Sequence, residues 1–316
     1  MKKLFAIVLS IFLILSPYAG AEYSVEGGKI EVKNDNITII EKNGELYVED
    51  TTVAELERLF SAVKYKDYYF MPQMLYPAIF LRKLPKDFDQ IEDESYRNRF
   101  FIQLLAPVAI KVANDIAKER EDMLAMKKEF EQGNSLTPEQ SAQLEEWAER
   151  YDIFTRLKGD AHTSYVFDEL QKKMDIIPPS MLIGVAAIES NWGTSRPAKE
   201  ANSLYKEKVW FGEEKGLAPI LGEEEEDDDY EFKIFDSIYD AMRSYSIKIS
   251  SGVDFYYIRS YRAEFRRREK PVSGRTLAHA MLHSSQLKNF AGLLDYTITF
   301  YEMDNLDIAR LLRMPE

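Results

Sequence analysis

Between Pro178 and Arg196 the chain reads PPSMLIGVAAIESNWGTSR, and Glu189 is the one carboxylate in that stretch. Pro178-Pro179-Ser180 predicts a helix start, with proline placed where a backbone donor is not needed. Leu182, Val185, Ala186 and Glu189 then fall at i, i+3, i+4 and i+7, so the carboxyl shares a helix face with apolar side chains. Gly193 supplies a C-terminal stop. A carboxyl in the last turn of such a helix meets two forces that disfavour its charge: apolar surroundings and the negative end of the helix dipole. Both raise its pKa, and an acid still protonated near neutral pH can protonate a glycosidic oxygen. Trp192, three residues on, is placed to wall such a site and stack on a sugar face. The plain structural alternative is a core-helix glutamate paired with Arg196, since buried glutamates are usually paired.

Other residues have weaker claims to chemistry. His279 and His283 stand at i and i+4, a zinc-compatible spacing, but no acidic or cysteine partner completes a motif. The sequence therefore predicts no metal and no cofactor. Arg259, Arg262, Arg266, Arg267 and Arg268 form a basic cluster, either a solvated helix face or a contact for the carboxylates of peptide stems. Tyr205, Trp210 and Phe211 are either sugar platforms or lobe core. The run Glu223 to Asp229 (EEEEDDD) reads as a solvated loop because like charges repel, and it lacks the ligand spacing of a calcium loop.

The residues around Glu189 carry a family resemblance. Asp175-Ile176-Ile177-Pro178-Pro179-Ser180 and Ala186-Ala187-Ile188-Glu189-Ser190-Asn191-Trp192-Gly193-Thr194-Ser195-Arg196 lead into Asn202-Ser203-Leu204-Tyr205. Trp210-Phe211-Gly212, Gly216-Leu217-Ala218-Pro219, Phe235-Asp236-Ser237, Ser244-Tyr245, Arg259 and Arg262-Ala263 continue the pattern. From about residue 85 to 312 the chain resembles the Bax-type periplasmic proteins, whose C-terminal part is a glucosaminidase domain of the kind found in flagellar muramidases and autolysins. The resemblance implies a mainly α, lysozyme-like domain with a small β-lobe. It implies cleavage of the β-1,4 bond after N-acetylglucosamine in peptidoglycan, with Glu189 as the catalytic acid. It also implies that Trp192, Asn202, Tyr205, Trp210 and His283 line the substrate cleft. The chain departs from the pattern where His283-Ser284-Ser285-Gln286-Leu287 stands for the family's Tyr-Ser-Glu-Arg-Gly, and where Tyr205-Lys206 stands for Phe-Gly. Glycosidases normally need a second carboxylate, and Glu213 or Glu214 on the β-lobe are the nearest candidates. Two other readings keep the fold: a non-catalytic glycan-binding scaffold, and a lytic transglycosylase, although that class's Gly-Leu-Met-Gln stretch is missing.

The elements that must position these residues follow from pattern. Residues 1–21 read as a signal peptide: Lys2 and Lys3, an apolar run from Leu4 to Leu15, then Ala19-Gly20-Ala21. The run is shorter than the roughly 20 residues of a membrane span, so a membrane is expected as a partner only through an uncleaved signal. No second apolar stretch of spanning length is predicted. An exported, periplasmic protein is the expectation. Residues 22–52 form a small β-element, with Asn43-Gly44 as a hairpin turn. Residues 53–164 form a helical N-terminal region, with helices over 53–70 and about 92–131 and a third starting at Thr137-Pro138-Glu139-Gln140. Residues 165–316 form the glucosaminidase domain, with helices over 165–174, 180–191, 237–250, 274–284 and 289–302 and a loop or β-lobe between Gly193 and Phe235.

Composition sets the outer bounds. Hydrophobic residues make up 45% of the chain, enough for a packed core, and there is no cysteine, so neither disulfides nor thiol chemistry enter. A net charge of −13 argues against nucleic acid as a partner, because phosphate binding needs a basic surface.

Overall fold

Apolar alternation on either side of an Asn-Gly pair produces the first hairpin. The computed structural model describes residues 23–26, 29–32, 37–63, 65, 74–210, 212, 215–220, 230–283 and 287–313. Strands β3 (Ile39–Lys42) and β4 (Glu45–Val48) pair antiparallel with Ile39 opposite Val48. Asn43 and Gly44 both take positive φ, 56° and 76°, the backbone that matches strand twist in a two-residue turn. Strands β1 (Tyr23–Glu26) and β2 (Lys29–Val32) extend the sheet on one side. On the other side, β6 (Ile79–Leu81) runs parallel to β4. The β-element is thus a five-stranded sheet that borrows a strand from beyond residue 52.

Helix α1 (Val53–Ala62) starts at a capping box made by Thr52 and Glu55, and ends well before the expected residue 70. Helix α2 (Glu94–Glu131) has the expected apolar row, with Phe100, Phe101, Leu104, Val108, Val112 and Ile116 all buried. It is the one helix among the described residues long and apolar enough to cross a membrane. Its apolar stretch is 72% buried inside the protein, which makes it a core helix. Its identification corrects the expectation that no second stretch of spanning length exists. Helix α3 (Pro138–Arg150) starts at the predicted Thr137–Gln140 capping box.

Helix α4 (Asp160–Lys173) spans residue 164. It joins α3 and the end of α2 in a small core of Met123, Leu144, Trp147, Tyr151, Phe167 and Leu170. The larger core is continuous from the N-terminal sheet through the first half of α2 into the C-terminal helices.

At the centre of that larger core lies α5 (Pro179–Glu189), with Pro179 through Ala187 all buried. It is followed by α6 (Arg196–Ala201). Strands β7 (Lys208–Trp210), β8 (Gly216–Leu217) and β9 (Tyr230–Lys233) then form an antiparallel β-lobe in the order β7-β9-β8. Helices α7 (Ile238–Ser251), α8 (Tyr256–Arg267), α9 (Gly274–Met281) and α10 (Lys288–Phe300) complete a mainly α architecture. The chain end returns to its beginning: β10 (Arg310–Leu312) pairs parallel with β5 (Leu75–Pro77). Buried Ala78 joins the two sheets, its N–H donating to Leu312 O at 2.9 Å and its carbonyl accepting from Leu46 N at 2.8 Å.

Candidate active site

Glu189 is the last residue of α5. Leu182, Val185 and Ala186 are buried as expected, but the helix is buried all round and has no polar face. Glu189 is half-buried, at the point where this helix emerges from the core. The helix is capped by Ser190, and the chain then turns through left-handed backbone at Asn191, Trp192 and Gly193. The Ser190 Oγ donates to Ala186 O, which also accepts from Ser190 N at 3.0 Å, and it accepts from Gly193 N at 2.8 Å. Trp192 N closes the turn on Ala187 O at 2.7 Å.

The start of α5 is held from a distance. Asp307, in a 3-10 turn over Met303–Ile308, accepts from Ser180 N at 2.9 Å, from Ser180 Oγ at 2.8 Å and from Gly274 N at 2.8 Å. One carboxylate therefore caps both α5 and α9. Burial pushes the Asp307 carboxyl up to about 6.

Around Glu189 the structure brings together two tyrosines and a second glutamate. Tyr205 and Tyr245 stack, and the Tyr205 hydroxyl donates to Leu182 O on α5 at 3.1 Å. Glu207 is buried and its Oε2 accepts from Ser244 Oγ at 3.1 Å. The Tyr245 hydroxyl is held far above its ordinary range, first by burial and then by the negative charges of Glu189 and Glu207. Tyr245 is thus a neutral phenol lying within electrostatic reach of both carboxylates. Glu207 was invisible in the sequence, where it is an acid between Lys206 and Lys208.

The expected cleft residues separate into two groups. Tyr205 is 5% exposed, with its ring face covered by Tyr245 and its hydroxyl engaged, so it is core rather than a sugar platform. Asn202 is buried in left-handed backbone, φ 52°, and its Nδ2 donates to Phe235 O at 2.9 Å, a bond that ties α6 to the strand-to-helix connection. Trp192 is half-buried, with Phe101 and Tyr301 against its ring. Trp210, by contrast, stands 63% exposed on β7. His283 is exposed too, its Nε2 2.8 Å from the Tyr261 hydroxyl and its ring beside Tyr257. Phe211, Glu213, Glu214, the acidic run 223–229 and the signal segment 1–21 lie outside the described residues.

The arginines of the basic cluster have partners within the protein. Arg262 is fully buried and donates to Asp175 O, Ile176 O, Lys173 O and Ser250 Oγ, joining α8 to the end of α4 and to α7. Burial lowers its pKa to about 10. Arg266 pairs with Asp175, and Arg267 and Arg268 with Glu264, while Arg259 donates to Ser250 O and Gly252 O. Burial alone would raise the Asp175 carboxyl, yet the Arg266 hydrogen bond and the charges of Arg262 and Arg120 hold it below the usual range. His279 faces Asp295 at 3.4 Å while His283 faces Tyr261, so the two rings do not converge. No group of three potential metal ligands occurs among the described residues.

Residues 165–297 match the glucosaminidase family model, described as mannosyl-glycoprotein endo-beta-N-acetylglucosaminidase. The chain is 24% identical over 187 residues to protein Bax of Escherichia coli K12, a match covering 58% of this chain and 62% of that protein. It thus spans less than two thirds of the length of that relative. Among solved structures, the catalytic domain of the autolysin Auto from Listeria monocytogenes is similar to 60% of this chain and 97% of that domain, at 18% identity and a TM-score of 0.31.

Proposed function

Taking as premise that residues 165–297 form a glucosaminidase-family domain, we propose that the protein is a peptidoglycan hydrolase that works outside the cytoplasm and uses Glu189 as its acid. The observation that carries this reading is the placement of Glu189. It ends a helix buried from Pro179 to Ala187, and it alone of that helix's polar side chains reaches the surface at the helix C-terminus. Partial withdrawal from water and the negative helix end both favour the neutral acid. Glu189 then gives its proton to the bridging oxygen as the bond from that oxygen to the anomeric carbon of N-acetylglucosamine breaks. Water adds its hydroxyl to the anomeric carbon, and its proton goes to the second group. Glu213 and Glu214 are the candidates for that group. Exposed Trp210 and His283 are side chains available to contact the glycan.

The test is peptidoglycan digestion by the full chain and by Glu189→Gln, which keeps shape and loses the proton. The reading expects new reducing ends on N-acetylglucosamine from the unchanged protein. It expects a loss of roughly a thousandfold in the variant, the scale of a missing general acid. Equal digestion by both proteins refutes acid catalysis by Glu189. Anhydro-muramic ends would identify a transglycosylase, and wall binding without new ends a scaffold.

A further inference from the structure

The backbone immediately after Glu189 is in an uncommon state. Asn191, Trp192 and Gly193 all occupy the left-handed region, with φ of 50°, 55° and 77°. Left-handed backbone is costly for a bulky residue such as tryptophan, and it persists only where its surroundings over-determine it. The hydrogen bond from Trp192 N to Ala187 O folds this turn back onto the last turn of α5. Trp192 is thereby tied to the last turn of the helix that carries Glu189.

Beside these local hydrogen bonds, two aromatic rings from outside residues 165–297 hold the Trp192 side chain. The Tyr301 ring lies 4.6 Å from it, centroid to centroid, at 59°. Phe101 of α2 meets it edge-on at 6.0 Å. The Tyr301 hydroxyl in turn accepts from Asn98 Nδ2 at 2.8 Å, across 203 positions of sequence. Asn98 is 3% exposed and sits inside α2, surrounded by core, a costly place for an amide unless its bond matters. The chain of contact runs from Asn98 to Tyr301 to Trp192 to the turn that ends at Glu189.

We propose that Asn98 and Tyr301 are positioning residues: together they clamp the Trp192 turn and thereby fix the direction of the Glu189 carboxyl. The catalytic consequence rests on the hydrolase reading above. The inference gives the N-terminal helical region a role, since α2 and the C-terminal return build the back wall of the site.

The test uses the full chain labelled with 5-fluorotryptophan. Its three tryptophans, Trp147, Trp192 and Trp210, give three fluorine resonances, assigned with Trp192→Phe and Trp147→Phe. Tyr301→Phe keeps the ring and removes the hydroxyl, and Asn98→Leu removes the donor; the first covers the case in which the second fails to fold. Both variants are expected to move the Trp192 resonance and leave that of Trp210 in place. Each is expected to lower kcat on peptidoglycan about tenfold with KM within about twofold, the signature of a misdirected reacting group. The double variant is expected to be no worse than either single one, because the two residues act as one unit. An unmoved Trp192 resonance, or a moved one with kcat unchanged, overturns the inference. If the unchanged protein releases no reducing ends, the hydrolase reading fails, and the Trp192 resonance alone decides whether the clamp exists.

Discussion

Tyr205 and Tyr245 lie face to face, ring centroids 4.2 Å apart and planes 3° from parallel. The pair couples three elements: the turn after α6, helix α7, and α5 through the bond from the Tyr205 hydroxyl to Leu182 O. Tyr245 in turn lies within electrostatic reach of Glu189. Tyr205→Phe keeps the stack and loses one buried hydrogen bond. It is expected to cost about 1 kcal/mol of stability. Tyr205→Ala removes the stack as well and is expected to cost about 3–5 kcal/mol. Denaturant titration of the two variants measures both, and the ratio tells how much of the coupling is carried by the ring.

Gly193 has no room for a methyl group. A Cβ built there would stand 2.8 Å from both Leu84 Cδ1 and Phe101 Cε2, in backbone of φ 77°. Gly193→Ala therefore meets strain and overpacking together, at an expected cost of about 2–4 kcal/mol. Because the displaced turn follows directly on Glu189, the proposed acid, digestion of peptidoglycan is expected to fall further than the unfolded fraction explains. An activity loss that matches the unfolded fraction alone would remove the link between turn and acid.

Short-range features of this fold were legible and long-range ones were not. The capping box at Thr137–Gln140, the Asn43-Gly44 hairpin and the helix ending at Glu189 are each encoded within a few residues. Helix α8 escaped because its buried positions are Ile258 and Arg262, one apolar residue and one arginine, which leaves almost no hydrophobic period to read. The buried use of Arg262 is only visible once the carbonyls of Lys173, Asp175 and Ile176 are in place to receive it. The family resemblance places Tyr205 and Asn202 in the cleft, and the sequence alone leaves Tyr205 open between sugar platform and lobe core. Their partners, Tyr245 and Phe235 O, lie 40 and 33 positions away, too far for local pattern to expose. The same holds for Asn98 and Tyr301.

Arg262 is predicted to be among the most sensitive positions outside the site. Arg262→Met matches its length but leaves buried carbonyl oxygens without donors, and it strips a cation from the neighbourhood of Asp175. Breaking one side of a buried polar network is expected to cost about 3–5 kcal/mol. Thermal unfolding followed by circular dichroism checks this. Arg267→Met, on an exposed pair with Glu264, is the control and is expected to change stability by less than about 0.5 kcal/mol.

Asp307 gives the protein a pH dependence of defined sign. Its folded-state carboxyl is raised from 3.8 to about 6, so the folded protein binds this proton more tightly than the unfolded chain does. The stability linked to it is complete below about pH 4 and is lost as pH rises through about 6. The total is on the order of 1–3 kcal/mol, because a tenfold difference in proton affinity between the folded and unfolded chains is worth roughly 1.4 kcal/mol, less screening by nearby solvent. Asp307→Asn cannot titrate and abolishes this slope. It also replaces one acceptor oxygen with a donor amide that faces the N–H groups of Ser180 and Gly274, so it is expected to be less stable at every pH. The informative quantity is the difference in unfolding free energy between the two proteins, measured in denaturant at pH 4.5 and at pH 7.5. It is expected to shrink as pH rises. A difference that grows instead would show that the two helix N-termini hold the carboxylate charged, outweighing its burial.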